Sequence, residues 1–291
     1  MGVYLEPTDD GLPMRDAGSW AEEKLDYLTR YIWAFETSMR EKPWRGRYYI
    51  DLMAGPGKNR VRETGNILLG SPLLALTTEF PFTRYHFAEL DQDYVRALSR
   101  RCSESPLSDR VRIHSGDANV VTDEIVREIE ASDRQWMPSH WHNLCLAFID
   151  PEGFEIEWET VAKLARMRKM DLIVNFPIGG MNRFMPTAIA NDAETAIDSF
   201  FGGREWRGIY LRFKDSPRLA RELLNLYRSN LVAMEYKVTM GEDTGDEVLI
   251  RNSQRNTPMY YLMFASKHDL GNTFWKQITR RNVRGQMSFD W

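Results

Sequence analysis

Apolar residues recur along this chain in two rhythms. Trp20, Leu25, Leu28, Ile32 and Phe35 return at helical spacing up to about Met39, which predicts an N-terminal helix with one buried face. Ser19 stands where an N-cap belongs, and Glu22 three residues on completes a capping box. The second rhythm is a series of short, nearly continuous apolar runs. One begins at Arg47 and passes through Tyr48, Tyr49 and Ile50; others are Tyr85–Glu89, Val111–His114, Leu144–Ile149 and Asp171–Phe176. Runs of this length, rich in aromatic and branched residues and closed by turn residues, read as buried strands. Leu144–Ile149 shows no alternation at all, as expected of a central parallel strand covered on both faces.

Helical patterns separate these strands. Ser71-Pro72 opens one as N-cap and first residue, with Leu73, Leu74 and Leu76 on its packed face. Tyr94, Val95 and Leu98 mark the next, then Ile125 and Ile129, then Trp158, Val161, Leu164 and Ala165. Thr187–Phe201 is predicted helical up to Gly202-Gly203, and Leu219, Leu223, Leu226 and Leu231 define another helix. Val238–Met240, Val248–Ile250 and Met259–Ala265 are late strands, and Phe274, Trp275 and Ile278 lie on a last helix. Residues 1–18, with Pro7, Gly11, Pro13 and Gly18, read as a loose arm, and the polar, basic stretch Lys58–Asn66 as an inserted loop. Strands alternating with helices predict an α/β fold with a parallel, doubly wound sheet. No linker or repeat divides the chain. It reads as one domain: arm and helix over 1–44, core over 45–266, C-terminal helix over 267–291.

Composition narrows the function classes. A chain of 291 residues buries a substantial core without staples. The net charge of −4 excludes a strongly basic nucleic-acid wrapper but leaves room for a local basic face. Cys102 and Cys145 lie far apart and read as reduced thiols of a cytoplasmic protein. The first twenty residues lack an apolar signal sequence, and no stretch approaches the roughly 20 apolar residues of a membrane span. His140-Trp141-His142 lacks the neighbouring acid or cysteine that would complete a metal set, so no metal is expected.

The candidate chemistry lies at the strand ends. The first strand runs into Asp51-Leu52-Met53-Ala54-Gly55-Pro56-Gly57, where glycines let the backbone take positive φ and a ligand approach closely. Open α/β sheets bind ligands beyond the carboxyl ends of their strands, and three later tips there carry acids: Glu89, Asp117 and Asp150. Glu89 suits a ribose diol, Asp117 with the Ala118 N–H suits an adenine edge, and Asp150-Pro151 would lie beside the reacting group. Both NAD and S-adenosylmethionine match such a nucleoside site. A dinucleotide fingerprint, however, runs straight into a helix that holds pyrophosphate, whereas Arg60 stands here at the third glycine position and the helix starts more than ten residues later.

The Asp-Leu-Met-Ala-Gly-Pro-Gly run resembles the first motif of class I S-adenosylmethionine-dependent methyltransferases. The resemblance spans about residues 45–266 and implies a mostly parallel, seven-stranded Rossmann-like sheet. A closer likeness rests on Asp51–Gly57, Gly70-Ser71-Pro72-Leu73, Phe148–Gly153, Asn175-Phe176-Pro177, Tyr260–Ala265 and the ending Gly271…Phe274-Trp275. Together these resemble the three-Cys-motif partner family. That resemblance implies S-adenosylmethionine as cofactor and a radical-SAM-like protein carrying three cysteines as partner; this chain lacks those cysteines. Cofactor contacts then fall to Asp51, Ala54, Gly55, Pro56, Gly57, Ser71, Glu89, Asp117 and Ala118. Asp150, Pro151, Phe154 and Asn175 make the acceptor side.

Amino-methylating enzymes often carry Asp/Asn-Pro-Pro-Tyr/Phe after the fourth strand, where the aromatic stacks on a flipped base. This chain has Asp150-Pro151-Glu152-Gly153-Phe154, so Phe154 is displaced and either stacks on substrate or packs on the sheet. Lys58, Arg60 and Arg62, with Arg40, Lys42, Arg45 and Arg47 nearby, either grip nucleic-acid phosphates or form a solvated face. Lys276, Arg280, Arg281 and Arg284 are a second basic group with the same two readings. The reading is a methyltransferase acting on a nucleobase nitrogen. The alternative is a non-catalytic partner that keeps the fold, with a nicotinamide oxidoreductase third.

Overall fold

Tight apolar runs and amphipathic helices resolve, in a computed structural model, into two sheets. The structure describes residues 3–134, 141–238, 247–252 and 254–280. The chain opens with β1 (Arg15–Ala17), α1 (Trp20–Met39), β2 (Arg47–Asp51), β3 (Lys58–Val61) and β4 (Ile67–Leu69). Then come α2 (Ser71–Leu76), β5 (Arg84–Glu89), α3 (Gln92–Ser103), β6 (Val111–Ser115), α4 (Ala118–Arg134) and β7 (Leu144–Ile149). Next are α5 (Trp158–Ala165), β8 (Met170–Pro177), α6 (Met181–Ile189), α7 (Ala196–Phe201), α8 (Glu205–Phe213) and α9 (Leu219–Ala233). The strands β9 (Glu247–Arg251) and β10 (Pro258–Ala265) precede α10 (Asp269–Thr279).

The main sheet has seven strands in the order β6-β5-β2-β7-β8-β10-β9. Every pairing from β6 to β8 is parallel, and β10 runs antiparallel to both its neighbours. This is the mostly parallel, doubly wound, seven-stranded sheet that the motifs imply. Strand β7 lies at its centre, and every one of its residues is buried. Period-two alternation divides that strand between two apolar layers. Leu144, Leu146 and Phe148 join the layer with α1, α2, α3 and α10, while Cys145, Ala147 and Ile149 join the layer with α4 to α9. Both cysteines are free and buried, and burial raises the Cys102 thiol to about 12. Among the described residues no helix is long and apolar enough to cross a membrane.

Four expectations are corrected. Residues 1–18 are an anchored arm, because β1 pairs with β3 in a second, three-stranded sheet and Leu5 is buried. The Lys58–Asn66 stretch is the β3–β4 hairpin of that sheet. Ser19 has helical φ and ψ and makes no side-chain cap; its N–H donates to Glu63 Oε2 at 3.0 Å instead of closing a box with Glu22. The helix over Thr187–Phe201 is two helices, since α6 ends at Ile189 and Thr195 recaps α7 in a capping box with Asp198. The periodicity also misses α8, which buries only Trp206 and Tyr210. Of Val238–Met240, Val238 belongs to no strand, and Thr239 and Met240 lie outside the described residues, as do His140, Arg281 and Arg284.

Candidate cofactor and acceptor site

Strand β2 ends where its backbone must reverse. Gly55 has φ +64° and Gly57 φ +91°, conformations that side chains with a Cβ rarely adopt. The two glycines serve different purposes. Gly55 faces the cleft, where Arg15 Nε is 3.6 Å from the place a Cβ would occupy. A Cβ on Gly57 would meet Leu73 and Leu98 at 3.1 Å, so Gly57 lets the turn lie flat on α2 and α3. Gly57 and Pro56 therefore shape the loop from behind and are not among the residues that line the cleft. The helix after the turn begins at Ser71 itself, with Gly70 as its N-cap.

Three of the four expected carboxylates gather on one rim. A cleft of 690 Å³ is lined by Leu52, Met53, Glu89, Asp117, Ala118 and Asp150, among others. Glu89 Oε2 accepts from the Gly55 N–H at 2.7 Å and Oε1 from the Asp91 N–H at 2.9 Å. The carboxylate at the end of β5 is thereby tied to the turn after β2. Asp117 is exposed, and its Oδ1 accepts from the Asn119 N–H at 2.8 Å. Ala118 opens α4, so its N–H is one of the four that a helix leaves without an internal acceptor. Asp51 lies beneath, fully buried. Burial lifts its carboxyl to about 7; a hydrogen bond with Ser71 opposes the rise and the neighbouring Asp150 adds to it.

A second lobe, 510 Å³ in volume, adjoins the first across Arg15, Met53, Asp150 and Glu152. Ala54, Gly55, Ser71, Pro151, Asn175 and Tyr260 line it. Asp150 Oδ2 receives the ammonium of Lys24 at 2.5 Å, and that ammonium also lies 5.5 Å from the Tyr260 ring centre. Asn175 donates through Nδ2 to the Pro151 carbonyl at 3.1 Å. Its Oδ1 is buried with no hydrogen-bond partner among the described residues, and so is the Tyr260 hydroxyl. Buried polar atoms are costly to leave unpaired, so two of them in one lobe signal a ligand with complementary groups. Phe154 is the expected acceptor-side residue that does not join. It is 7% exposed and meets Phe200 edge-on at 5.1 Å, so it packs within the core.

Sequence reasoning misses three contributors. Lys24 comes from a helix whose pattern speaks only of its apolar face. Arg15 comes from the arm and lies 3.8 Å from Glu89, 3.5 Å from Glu152 and 5.8 Å from the Tyr94 ring centre, between the two lobes. Arg101 holds both arm and loop: fully buried, it donates to Asp10, to the Leu12 and Pro13 carbonyls, and to the Pro56 carbonyl at 2.6 Å. Lys58, expected to reach toward phosphates, is fully buried and pairs with Asp10 at 2.8 Å, so it cannot meet an external anion. Burial pushes the Asp10 carboxyl upward, yet hydrogen bonds from Arg101 and Lys58 hold it down at about 2. Arg60 pairs with the exposed Asp9, and Arg62 lies over Trp20 at the lip of the second lobe.

No family model matches the chain, and no curated protein does. Solved structures with a related backbone course do exist. A protein from Legionella pneumophila is 13% identical, with 90% of this chain and 91% of that one covered and a TM-score of 0.48. The O-methyltransferase TomG from Streptomyces achromogenes, solved in complex with SAM, is 10% identical over 84% of this chain and 79% of that one, at a TM-score of 0.43. A cofactor-bound protein from MTB is 13% identical over 89% and 84% respectively, at 0.42. None of these bears on the chemistry of the site.

Proposed function

We propose that the chain is an S-adenosylmethionine-dependent methyltransferase whose two lobes hold cofactor and acceptor. The observation that carries this reading is the tie between Gly55 and Glu89, which sets a ribose-binding carboxylate against the glycine turn on the rim shared with Asp117 and Asp150. Glu89 would hold the ribose diol, Asp117 and the Ala118 N–H the adenine, and Ala54, Gly55 and Ser71 the wall toward the second lobe. The cofactor supplies an electrophilic methyl group, so the protein's task is largely to position the acceptor.

The acceptor side follows from the unpaired atoms. Asn175 Oδ1 would accept the N–H or O–H of the incoming nucleophile, and Lys24 fixes Asp150 for the same task. Asp150 Oδ1 would then take the proton that the nucleophile releases. The Pro151 carbonyl, which holds the amine in the motif this stretch resembles, is already occupied by Asn175. Asn175 takes over that part. A nucleic-acid acceptor is favoured by the cations Arg15 and Arg62 around the second lobe, which suit a phosphate-bearing substrate. The three-Cys-motif protein stands as the proposed partner, on the strength of the sequence motifs.

Calorimetry with S-adenosylmethionine tests the cofactor, and a labelled-methyl assay on DNA, RNA and the co-expressed partner tests the acceptor. Binding with no transfer to any of the three would favour the alternative of a cofactor-holding scaffold. No binding would end both.

A further inference from the structure

At the opposite end of the sheet a separate cavity of 560 Å³ opens between α1, α10 and the starts of β7 and β8. Its size lies within the range of small-molecule sites, ~300–1,000 Å³. Tyr31, Phe35, Trp44, Trp141, Leu270 and Phe274 supply apolar walls. Trp44 and Trp141 meet edge to face at 4.7 Å, and the Trp44 indole nitrogen is buried without a hydrogen-bond partner among the described residues. The charges are one-sided. Lys42, Arg168, Lys169 and Lys267 border the cavity, with His142 and His268, and the sole acid is Asp171. Asp171 is already satisfied: the Tyr31 hydroxyl donates to it at 2.8 Å and Ser266 hydrogen-bonds to it. Among the described residues Lys42, Lys169 and Lys267 have no carboxylate within ion-pair distance; the Lys267 ammonium lies 5.3 Å from the Tyr236 ring centre, and Arg168 bonds to His142.

An apolar, aromatic-walled hollow with four cations at its mouth matches one ligand chemistry. We propose that this cavity binds a small anionic amphiphile, a flat apolar body carrying a carboxylate, sulfonate or phosphate. The body lies against the Trp44–Trp141 pair and Phe274, and the head meets Lys169 and Lys267. The site is distinct from the carboxyl-edge cleft and shares none of its lining residues. A neutral ligand of equal size would leave the cation cluster unanswered, and a cationic one would be repelled.

Anilinonaphthalene sulfonate and its sulfonate-free parent, N-phenylnaphthylamine, separate the two contributions, since both fluoresce on entering apolar surroundings. The full chain is titrated with each probe. The sulfonate is expected to bind about tenfold more tightly than the neutral parent, a difference of about 1.4 kcal/mol. Replacing Lys169 and Lys267 together by Gln should erase that difference while leaving the neutral probe unchanged. These side chains are at least partly exposed, so the variant keeps its fold. Leu270→Trp, which fills the hollow, should abolish both signals. Equal affinity for the two probes, or a sulfonate preference that survives the double Gln variant, overturns the proposal.

Discussion

The two ends of the central sheet carry opposite chemistry. At the carboxyl end the strand tips deliver Glu89, Asp150 and Asn175 into a pair of joined lobes, with Asp51 buried beneath. At the amino end, where β7 and β8 begin, the surroundings are aromatic and cationic, and the one carboxylate, Asp171, is closed off by its own neighbours. Parallel strands make such a division possible, because all loops of one kind emerge at the same edge. The instructive difference is in what is left unpaired. The carboxyl end leaves buried acceptor and hydroxyl atoms, Asn175 Oδ1 and Tyr260 OH, whereas the amino end leaves cations without a carboxylate partner beside one buried donor, the Trp44 indole N–H. Directional hydrogen bonding dominates the first end and charge attraction the second.

The sharpest way to break this contrast is Asp150→Asn. Removing a positioned proton acceptor should lower methyl transfer by about 10²–10⁴-fold while cofactor affinity in calorimetry stays close to the unmodified chain. Equal loss of binding and transfer would show that Asp150 holds the cofactor and not the acceptor. The next effect is on stability. Asp10, Lys58 and Arg101 are fully buried together, and Asp10→Ala would strand two cations. The expected loss is about 3–5 kcal/mol in denaturant unfolding, since breaking one side of a buried ion pair leaves uncompensated charge. The arm would loosen with it and cofactor binding would weaken. Arg15→Ala ranks third. Its ion pairs are long and partly exposed, worth at most about 1 kcal/mol, so the melting temperature should hold. The KM for a nucleic-acid acceptor is expected to rise about tenfold, and an unchanged KM would place Arg15 outside the site.

How much of this could be read beforehand follows from range. The strands of the main sheet announce themselves because burial on both faces demands local, continuous apolarity, and Leu144–Ile149 is reproduced residue for residue. The acidic tips are legible for the same reason: each follows its strand directly. Lys24, Arg15 and Arg101 are invisible because their partners lie far away in sequence, 126 residues in the case of Lys24 and Asp150. A buried arginine reads locally as a solvated helix face. Lys58 shows the converse, where a basic stretch looks exposed until an acid from the arm, Asp10, covers it. Phe154 is open to two readings in the sequence, and Phe200, 46 residues on, decides between them by offering a ring to pack against.

The pH dependence of stability is the most discriminating between the two ends, because each buries an acid. Burial raises Asp51 to about 7 and Asp171 to about 6, against ordinary values near 3.8. In either case the folded state keeps a proton that the unfolded chain has released. That favours folding at low pH, and the advantage is lost as pH rises from about 4 through the folded value. An Asn side chain mimics the neutral acid and has no proton to lose. Asp51→Asn should therefore match the unmodified chain in thermal melting near pH 4 and become relatively more stable as pH rises, with the gap reaching its full size above about 7. Asp171→Asn should show the same divergence, complete about one pH unit earlier, and smaller because Tyr31 and Ser266 support the carboxylate. Glu36, also raised by burial to about 7, titrates in every variant and cancels in the difference. Two difference curves that are flat with pH, or that coincide, would mean that the acids at the two ends sit in equivalent surroundings, and the distinction between a ligand-ready rim and a self-satisfied one would fail.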